Sequence, residues 1–285
     1  MSRVVFAFMW LAHFLPLRAQ ALLGDLVGTV FYWLIPERRT VTRINLEKCF
    51  PRMTKAEREK LARAHFRVFC RSFIERGLLW WAPRERLERL VRLEGIEHLK
   101  ALAGKPVIIV APHFVGFDAS VTRLAMDFQM SGMYTRQKDP LFERLMYQGR
   151  KRFGGTLLPR QAGIRPALRA IKANVPYFIL PDQDVGPKSS VFVPFFGVPA
   201  ATTTGLAYIA RATGAQIVPC VTRMLRDRYV VRLYPPWSGY PSEDDVADAR
   251  RLLAFIEERV LEMPEQYFWL HKRFKTRPEG EPRFY

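Results

Sequence analysis

A chain of 285 residues, 49% of them hydrophobic, has enough apolar material for one generous domain or two small ones, and no stretch of it is low in complexity. Its 45 lysines and arginines stand against 27 acidic residues, a formal charge of +18 that implies polyanionic partners: nucleic acid, an anionic membrane, or phosphorylated and acidic ligands. Three scattered cysteines without C-x-x-C spacing argue against a disulfide framework and a zinc site, and they fit a reducing compartment.

Val4 to Leu17 is almost wholly apolar, and after Arg18 a second apolar stretch runs to Ile35, interrupted by Gln20 and Asp25. Each half falls short of the roughly 20 residues of a spanning helix. No A-x-A-like cleavage site follows, so residues 1–35 read as a retained membrane-associated segment, either one tilted helix or a shallow helical pair. Two buried core helices are the competing reading. Arg38, Arg39, Arg43 and Lys48 come directly after, the basic excess found on the cytoplasmic side of an anchor. Thr54 and Glu57 form a capping-box pattern that opens a helix through about residue 78. Beyond about residue 105, short β-rich runs alternate with helical stretches. Strands are expected at 106–111, 131–136, 155–159, 176–181, 215–222 and 228–234, with helices near 117–129, 140–152, 163–173, 203–213 and 244–262. The alternation predicts an α/β fold with a largely parallel sheet flanked by helices. No linker divides it, so residues 36–285 read as one domain on which 36–100 pack as a helical layer.

The first of these strands runs out through Ala111-Pro112-His113-Phe114-Val115-Gly116-Phe117-Asp118. A neutral-pH base and a carboxylate thus stand where ligands of open α/β sheets bind. With His113 in the turn and Asp118 in the first helical turn, the carboxylate can accept from one imidazole nitrogen and leave the other to take a proton. That is the His–Asp half of a triad without its serine, so the nucleophile would belong to the substrate. A hydrogen-bonded turn histidine and a helix-start acid are the plainer alternative. Arg136 and Lys138 end a second strand, and Arg160 and Arg165 flank the turn into the next helix; guanidinium forks suit phosphates. An exposed salt bridge accounts for any one of them as well. The histidines are dispersed, with no H-E-x-x-H. The string from Asp182 to Gly186 carries Pro187 and Val193 where a calcium loop needs glycine and glutamate, so no metal is expected. Without G-x-S-x-G, G-x-G-x-x-G or a Walker A loop, a serine hydrolase, a dinucleotide enzyme and a P-loop ATPase are unsupported.

Taken together, these segments resemble the late acyltransferases of lipid A biosynthesis, the lauroyl/myristoyl transferase family of the glycerolipid acyltransferase superfamily. Arg43-Ile44-Asn45-Leu46-Glu47-Lys48-Cys49-Phe50-Pro51 is similar to that family's R-x-N-L-x-x-C-F-P signature, and His113 to Asp118 fits its H-x4-D/E box. Pro181-Asp182-Gln183-Asp184, Phe192 to Gly197, Ala201 to Gly205 and Glu265 to Pro278 follow in the family's order. The resemblance implies a glycerolipid-acyltransferase-like fold. It also implies transfer of a fatty acyl group from acyl carrier protein to a hydroxyl of a phosphorylated lipid A precursor, at the cytoplasmic face of the inner membrane. His113 would be the general base and Asp118 its orienting partner. Arg136 and Arg165, with Arg160 after them, would bind phosphate or stabilise the oxyanion. No cofactor is implied, since acyl carrier protein thioester is a co-substrate; the partners are the carrier, anionic membrane lipid and the acceptor, not nucleic acid. Read from the residues alone, Phe192, Pro194, Phe195, Phe196 and Pro199, leading to Thr202-Thr203-Thr204, make an apolar loop capped into a helix and able to floor an acyl groove, with an ordinary hydrophobic loop packed on the core as the plainer alternative. Another membrane acceptor, such as a lysophospholipid, an ornithine lipid or a glycosylated phosphoinositide, would use the same box. A non-catalytic basic protein that binds nucleic acid or membrane through Glu265 to Pro278 is the alternative outside the class.

Overall fold

Val107–Val110 is buried at every residue, as Val-Ile-Ile-Val must be in a strand covered on both faces, and it occupies the middle of the main sheet. A computed structural model describes residues 2–285 of the chain, so Met1 of the expected segment 1–35 lies outside the described residues. The strands are β1 (Val91–Glu94), β2 (Val107–Val110), β3 (Ser131–Tyr134), β4 (Thr156–Pro159), β5 (Tyr177–Ile179), β6 (Ser190–Phe195), β7 (Val198–Thr203), β8 (Gln216–Met224) and β9 (Tyr229–Leu233). Among the described residues they form a seven-stranded sheet in the order β1-β9-β8-β2-β5-β3-β4 and a separate β6–β7 hairpin. All neighbours in the large sheet are parallel except β8 and β9, which are joined by a short turn and run antiparallel. The expected largely parallel α/β sheet is therefore present.

The helices are α1 (Ser2–Ala12), α2 (Leu17–Leu34), α3 (Pro36–Cys49), α4 (Lys55–Trp81), α5 (Arg84–Leu90), α6 (Ile96–Lys100), α7 (Phe117–Ala125), α8 (Pro140–Lys151), α9 (Arg165–Lys172), α10 (Gly205–Thr213) and α11 (Asp245–Glu262). The capping box at Thr54 and Glu57 is formed on both sides, and it starts the 27-residue α4. That helix is the spine of the N-terminal layer. Gly24 and Gly28 let α2 lie directly on it, since a Cβ on Gly24 would overlap the Arg71 backbone and one on Gly28 that of Arg67. Arg71 and Tyr229 both hydrogen-bond the buried Glu75, which ties α4 to the β8–β9 hairpin.

Two segments differ from the sequence expectation. Val91–Glu94 forms an edge strand pairing with β9, and the apolar run around Phe192 is a hairpin, not a loop. In that hairpin Pro194 and Pro199 face each other, so no main-sheet ladder loses a donor. Phe196 and Gly197 make the turn with φ of 51° and 80°, the mirror-image geometry that matches strand twist. After α11, a 3-10 turn at Pro264–Gln266 leads into a segment that crosses the C-terminal ends of β2 and β8 and buries Tyr267, Trp269 and Phe274.

Candidate active site

The last register pair between β2 and β5 is Val110 with Ile179. Three residues further along each strand stand His113 and Asp182, both directly preceded by proline, so parallel pairing delivers the two side chains side by side. Asp182 Oδ2 accepts the His113 backbone N–H at 2.9 Å, and Oδ1 meets Nδ1 at 2.5 Å. An ionised carboxylate only accepts, so Nδ1 carries the hydrogen and Nε2 is left with its lone pair. Burial pushes the Asp182 carboxyl up, but the imidazole and backbone N–H of His113, with Arg273 beyond, outweigh this and hold it below the usual range. The turn itself is clasped by the C-terminal segment. Phe268 N–H donates to His113 O at 3.0 Å, and Val115 N–H donates to Gln266 O at 2.9 Å.

Asp118 does not contact the His113 imidazole, contrary to expectation. Its Oδ1 accepts from Arg150 Nε and Nη2 at 3.0 and 2.7 Å, and its Oδ2 lies 2.9 Å from Arg76 Nη2. The reason is positional. On the first turn of α7 the carboxylate leans toward α4 and α8, while Asp182 already occupies both donors on the near side of His113. Burial raises the Asp118 carboxyl, and the Arg150 and Arg76 guanidiniums more than reverse this.

Two cavities border the imidazole, and a third lies beyond Phe117. One of about 10 Å³ lies on the Asp182 side, lined also by Asn45, Tyr267, His271 and Arg273. A second, about 120 Å³, is bordered by His113, Arg76, Ser72, Phe69, Phe117 and Phe268. A third, about 60 Å³ and mainly apolar, lies between α7 and strands β3–β5 with Val121, Ala125, Gly132, Leu157 and Phe178 in its wall. Phe117 lines both larger cavities, with its ring 5.9 Å from that of His113 and 5.8 Å from the Arg150 guanidinium carbon.

Arg136, Arg160 and Arg165 are exposed at the ends of β3 and β4 and the start of α9, on the same edge of the sheet as His113. None of them lines a cavity that His113 borders. The arginines gathered there, Arg76 and Arg150, were not singled out by the sequence. No local pattern marks them, since they come from two separate helices. The β6–β7 hairpin does not floor these cavities either: Phe192 faces solvent and Phe195 is buried in the core.

Asp184 is a structural clamp. It accepts from the Thr276 N–H at 2.6 Å and hydroxyl at 2.8 Å, and its own N–H donates to His271 Nε2. Burial, then Arg273 and His113, lower His271 to about 4, so it stays neutral and can accept. The aromatic-basic stretch from Glu265 to Pro278 is correspondingly not a free surface. Tyr267, Trp269 and Arg273 are buried, with Arg273 donating to Ala201 O and Thr202 Oγ1.

A profile of the family described as bacterial lipid A biosynthesis acyltransferase matches residues 2–276. The chain is 34% identical over 282 residues to the lipid A biosynthesis lauroyltransferase of Escherichia coli K12, covering 97% of this chain and 92% of that protein. It is 32% identical to the lipid A biosynthesis palmitoleoyltransferase of the same organism, with the same coverage. With the lipid A biosynthesis myristoyltransferase it shares 31% over 243 residues, 84% of this chain and 75% of that one. The solved 1-acyl-sn-glycerophosphate acyltransferase of Thermotoga maritima superimposes with a TM-score of 0.40 at 14% identity, covering 84% of this chain and 96% of that one.

Proposed function

The chain belongs to the bacterial lipid A biosynthesis acyltransferases, and from that premise we propose that it moves a fatty acyl chain from acyl carrier protein to a hydroxyl of a lipid A precursor, with His113 as general base. The observation that carries this reading is the imidazole fixed through Nδ1 to Asp182 while it borders the 120 Å³ cavity shared with Arg76. His113 Nε2 takes the acceptor's hydroxyl proton as that oxygen attacks the thioester carbonyl. The tetrahedral intermediate collapses, the C–S bond breaks, and the imidazolium returns its proton to the departing thiolate. An ester and free carrier thiol result, with no acyl-enzyme.

Asp182 holds the tautomer and faces the imidazolium as it forms. Arg76 and Arg150 share the single carboxylate of Asp118, so the pair keeps a surplus positive charge beside the base. Such a surplus suits an oxyanion in a site screened from water. The apolar cavity beyond Phe117 suits the distal acyl chain, whose methylenes need a dry wall and no polar partner. Exposed Arg136, Arg160 and Arg165, on the same sheet edge, are placed for the acidic carrier or the acceptor's phosphates. We assign the work to the cytoplasmic face of the inner membrane, where the carrier and the lipid acceptor meet.

The test is acyl transfer by the purified protein and its His113→Ala variant, from carrier thioesters to a tetra-acylated lipid A precursor. A product gaining one chain, with loss of about two or more orders of magnitude in the variant, supports the reading. Transfer only to a glycerol lipid would overturn the acceptor. Transfer surviving in the variant would remove His113 from the chemistry.

A further inference from the structure

Arg273 carries a charge that the proposed reaction does not use. It is 2% exposed, and its Nη1 and Nη2 donate to Ala201 O at 2.9 Å and Thr202 Oγ1 at 3.0 Å, both neutral acceptors. Its guanidinium carbon stands 5.3 Å over the Phe195 ring. All three contacts come from the β6–β7 hairpin, which stands outside the main sheet and contributes nothing to the walls of the cavities beside His113. A guanidinium so far withdrawn from water requires an anion. Asp182, 1% exposed, lines the same small cavity as Arg273 and His113.

The carboxylate has the complementary need. Its oxygens are taken by the backbone and ring N–H groups of His113, which as a resting base brings hydrogen bonds without a counter-charge. Burial raises the Asp182 carboxyl, and His113 and then Arg273 bring it down. Tyr267, buried in the same wall, feels both charges: after burial, Asp182 raises its phenol and Arg273 lowers it. We infer that Arg273 is a positioning residue for the base: cradled by the β6–β7 hairpin, this buried cation keeps Asp182 ionised and thereby keeps the ring hydrogen of His113 on Nδ1. The inference rests on the His113–Asp182 pairing of the proposed mechanism. Were Asp182 to hold a proton, its O–H would donate to Nδ1 and place the ring hydrogen on Nε2, the atom that must accept from the substrate hydroxyl.

The other ionic groups around the pair are already committed. Arg76 of α4 and Arg150 of α8 share Asp118 of α7. Glu257 of α11, on the hairpin side, is bound by Arg250 at 2.6 Å and by the Phe196 N–H. Asp184, beyond the exit of β5, accepts from Thr276, and Lys275 donates to its backbone oxygen at 3.5 Å. His271 in the cavity wall is lowered by burial, then by Arg273 and His113, to about 4 and brings no charge. Among the described residues, Arg273 is the cation left to answer Asp182.

The test is the pH dependence of single-turnover transfer, from carrier thioester to a tetra-acylated lipid A precursor, by wild type, Arg273→Lys and Arg273→Met. Removing the cation makes the extra proton on the His113–Asp182 pair easier to keep, so in Arg273→Met the acid limb of kcat should move up by about one pH unit. Activity on that limb then falls about tenfold, and raising the pH recovers it to within about threefold of wild type. Arg273→Lys keeps the charge and should leave the limb in place. A purely structural role would lower the rate by one factor at every pH, or act through KM with the limb unmoved, and either result would overturn the inference. Far-UV circular dichroism checks folding; should Arg273→Met not fold, Arg273→Gln, which retains an amide donor for Ala201 O, is read for the same shift. Failure of the underlying mechanism is distinguishable: an active Asp182→Asn overturns the pairing itself, whereas an inactive Asp182→Asn beside an unshifted Arg273→Met overturns only the role of Arg273.

Discussion

Replacing Asp182 by asparagine separates the roles of the two carboxylates. The substituted amide can keep its carbonyl on the His113 backbone N–H, but it then presents an N–H donor to Nδ1 where the carboxylate accepted at 2.5 Å. Nδ1 becomes the acceptor, Nε2 carries the hydrogen, and the base has no lone pair to offer. Restoring the productive tautomer sets N–H against N–H in a fully buried position, which costs about 2–3 kcal/mol. The imidazolium formed in the reaction also loses a charge-assisted bond, about 1.5–3 kcal/mol more. Together these terms raise the barrier by about 4–6 kcal/mol, a fall of about three to four orders of magnitude in kcat. Single-turnover transfer under saturating thioester and acceptor reads the chemical step directly. Combining Asp182→Asn with His113→Ala should add almost nothing, since both remove one unit of function. Asp182→Asn retaining activity within tenfold of wild type would refute the assignment, and an Asp118→Asn variant showing the larger loss would return the orienting role to Asp118.

Gly28→Leu should lower the melting temperature by several degrees, because its side chain must displace the Arg67 backbone at about 3 kcal/mol; differential scanning fluorimetry beside an innocuous Leu26→Ala control checks this. Ala125→Met narrows the apolar cavity and should shift kcat/KM toward shorter acyl thioesters by about tenfold, measured in competition between two donors, whereas an equal loss at every length would mean that no chain lies there. Burial lowers His65, and burial with neighbouring Arg273 and His113 lowers His271, each to about 4. Both folded values lie below the unfolded one, so their stabilisation is complete above about pH 6.5 and is lost as pH falls toward 4, up to about 3 kcal/mol each. Urea midpoints across that window should fall on acidification, less steeply in His65→Gln. Glu75, raised by burial to about 7 despite Arg71, acts in the opposite sense: its contribution is present at low pH and fades as pH rises from about 4.5 to 7, so Glu75→Gln should steepen the net slope.

Much of the fold was legible because its central strands are short β-branched runs bounded by proline and glycine. Val107–Val110 needs no partner to be recognised. Val91–Glu94 was missed because four alternating residues between two short helices give too little periodicity, and only pairing with β9 makes them a strand. The β6–β7 hairpin was missed for the opposite reason: Pro194 and Pro199 argue against a central strand, and the hairpin tolerates them by standing outside the sheet. At the site, His113 was legible from residue type and position. Its true partner lay 69 positions away, yet a signal existed: Ala111-Pro112-His113 and Leu180-Pro181-Asp182 both leave apolar runs through proline. Parallel neighbours present equivalent exits side by side. Adjacency of those two strands was the missing premise, and sequence spacing does not supply it.

The electrostatics explain why the nearer aspartate is not the partner. Arg76 and Arg150 are each about four-fifths buried, and a guanidinium withdrawn from water to that degree needs an anion. Asp118 is the carboxylate bound to both. Were it turned onto the imidazole, two buried cations would lose their shared anion and His113 would gain a second acceptor for a single Nδ1–H. The arrangement observed gives each buried charge a partner and still leaves one positive charge in excess beside the cavity that His113 borders. In the proposed mechanism, proton transfer and oxyanion stabilisation thus rest on separate carboxylates. Loss of Asp182 should strike the tautomer and hence kcat through the base, whereas loss of Asp118 should loosen two guanidiniums, so that Arg76→Lys is tolerated better than Arg76→Met only while Asp118 remains.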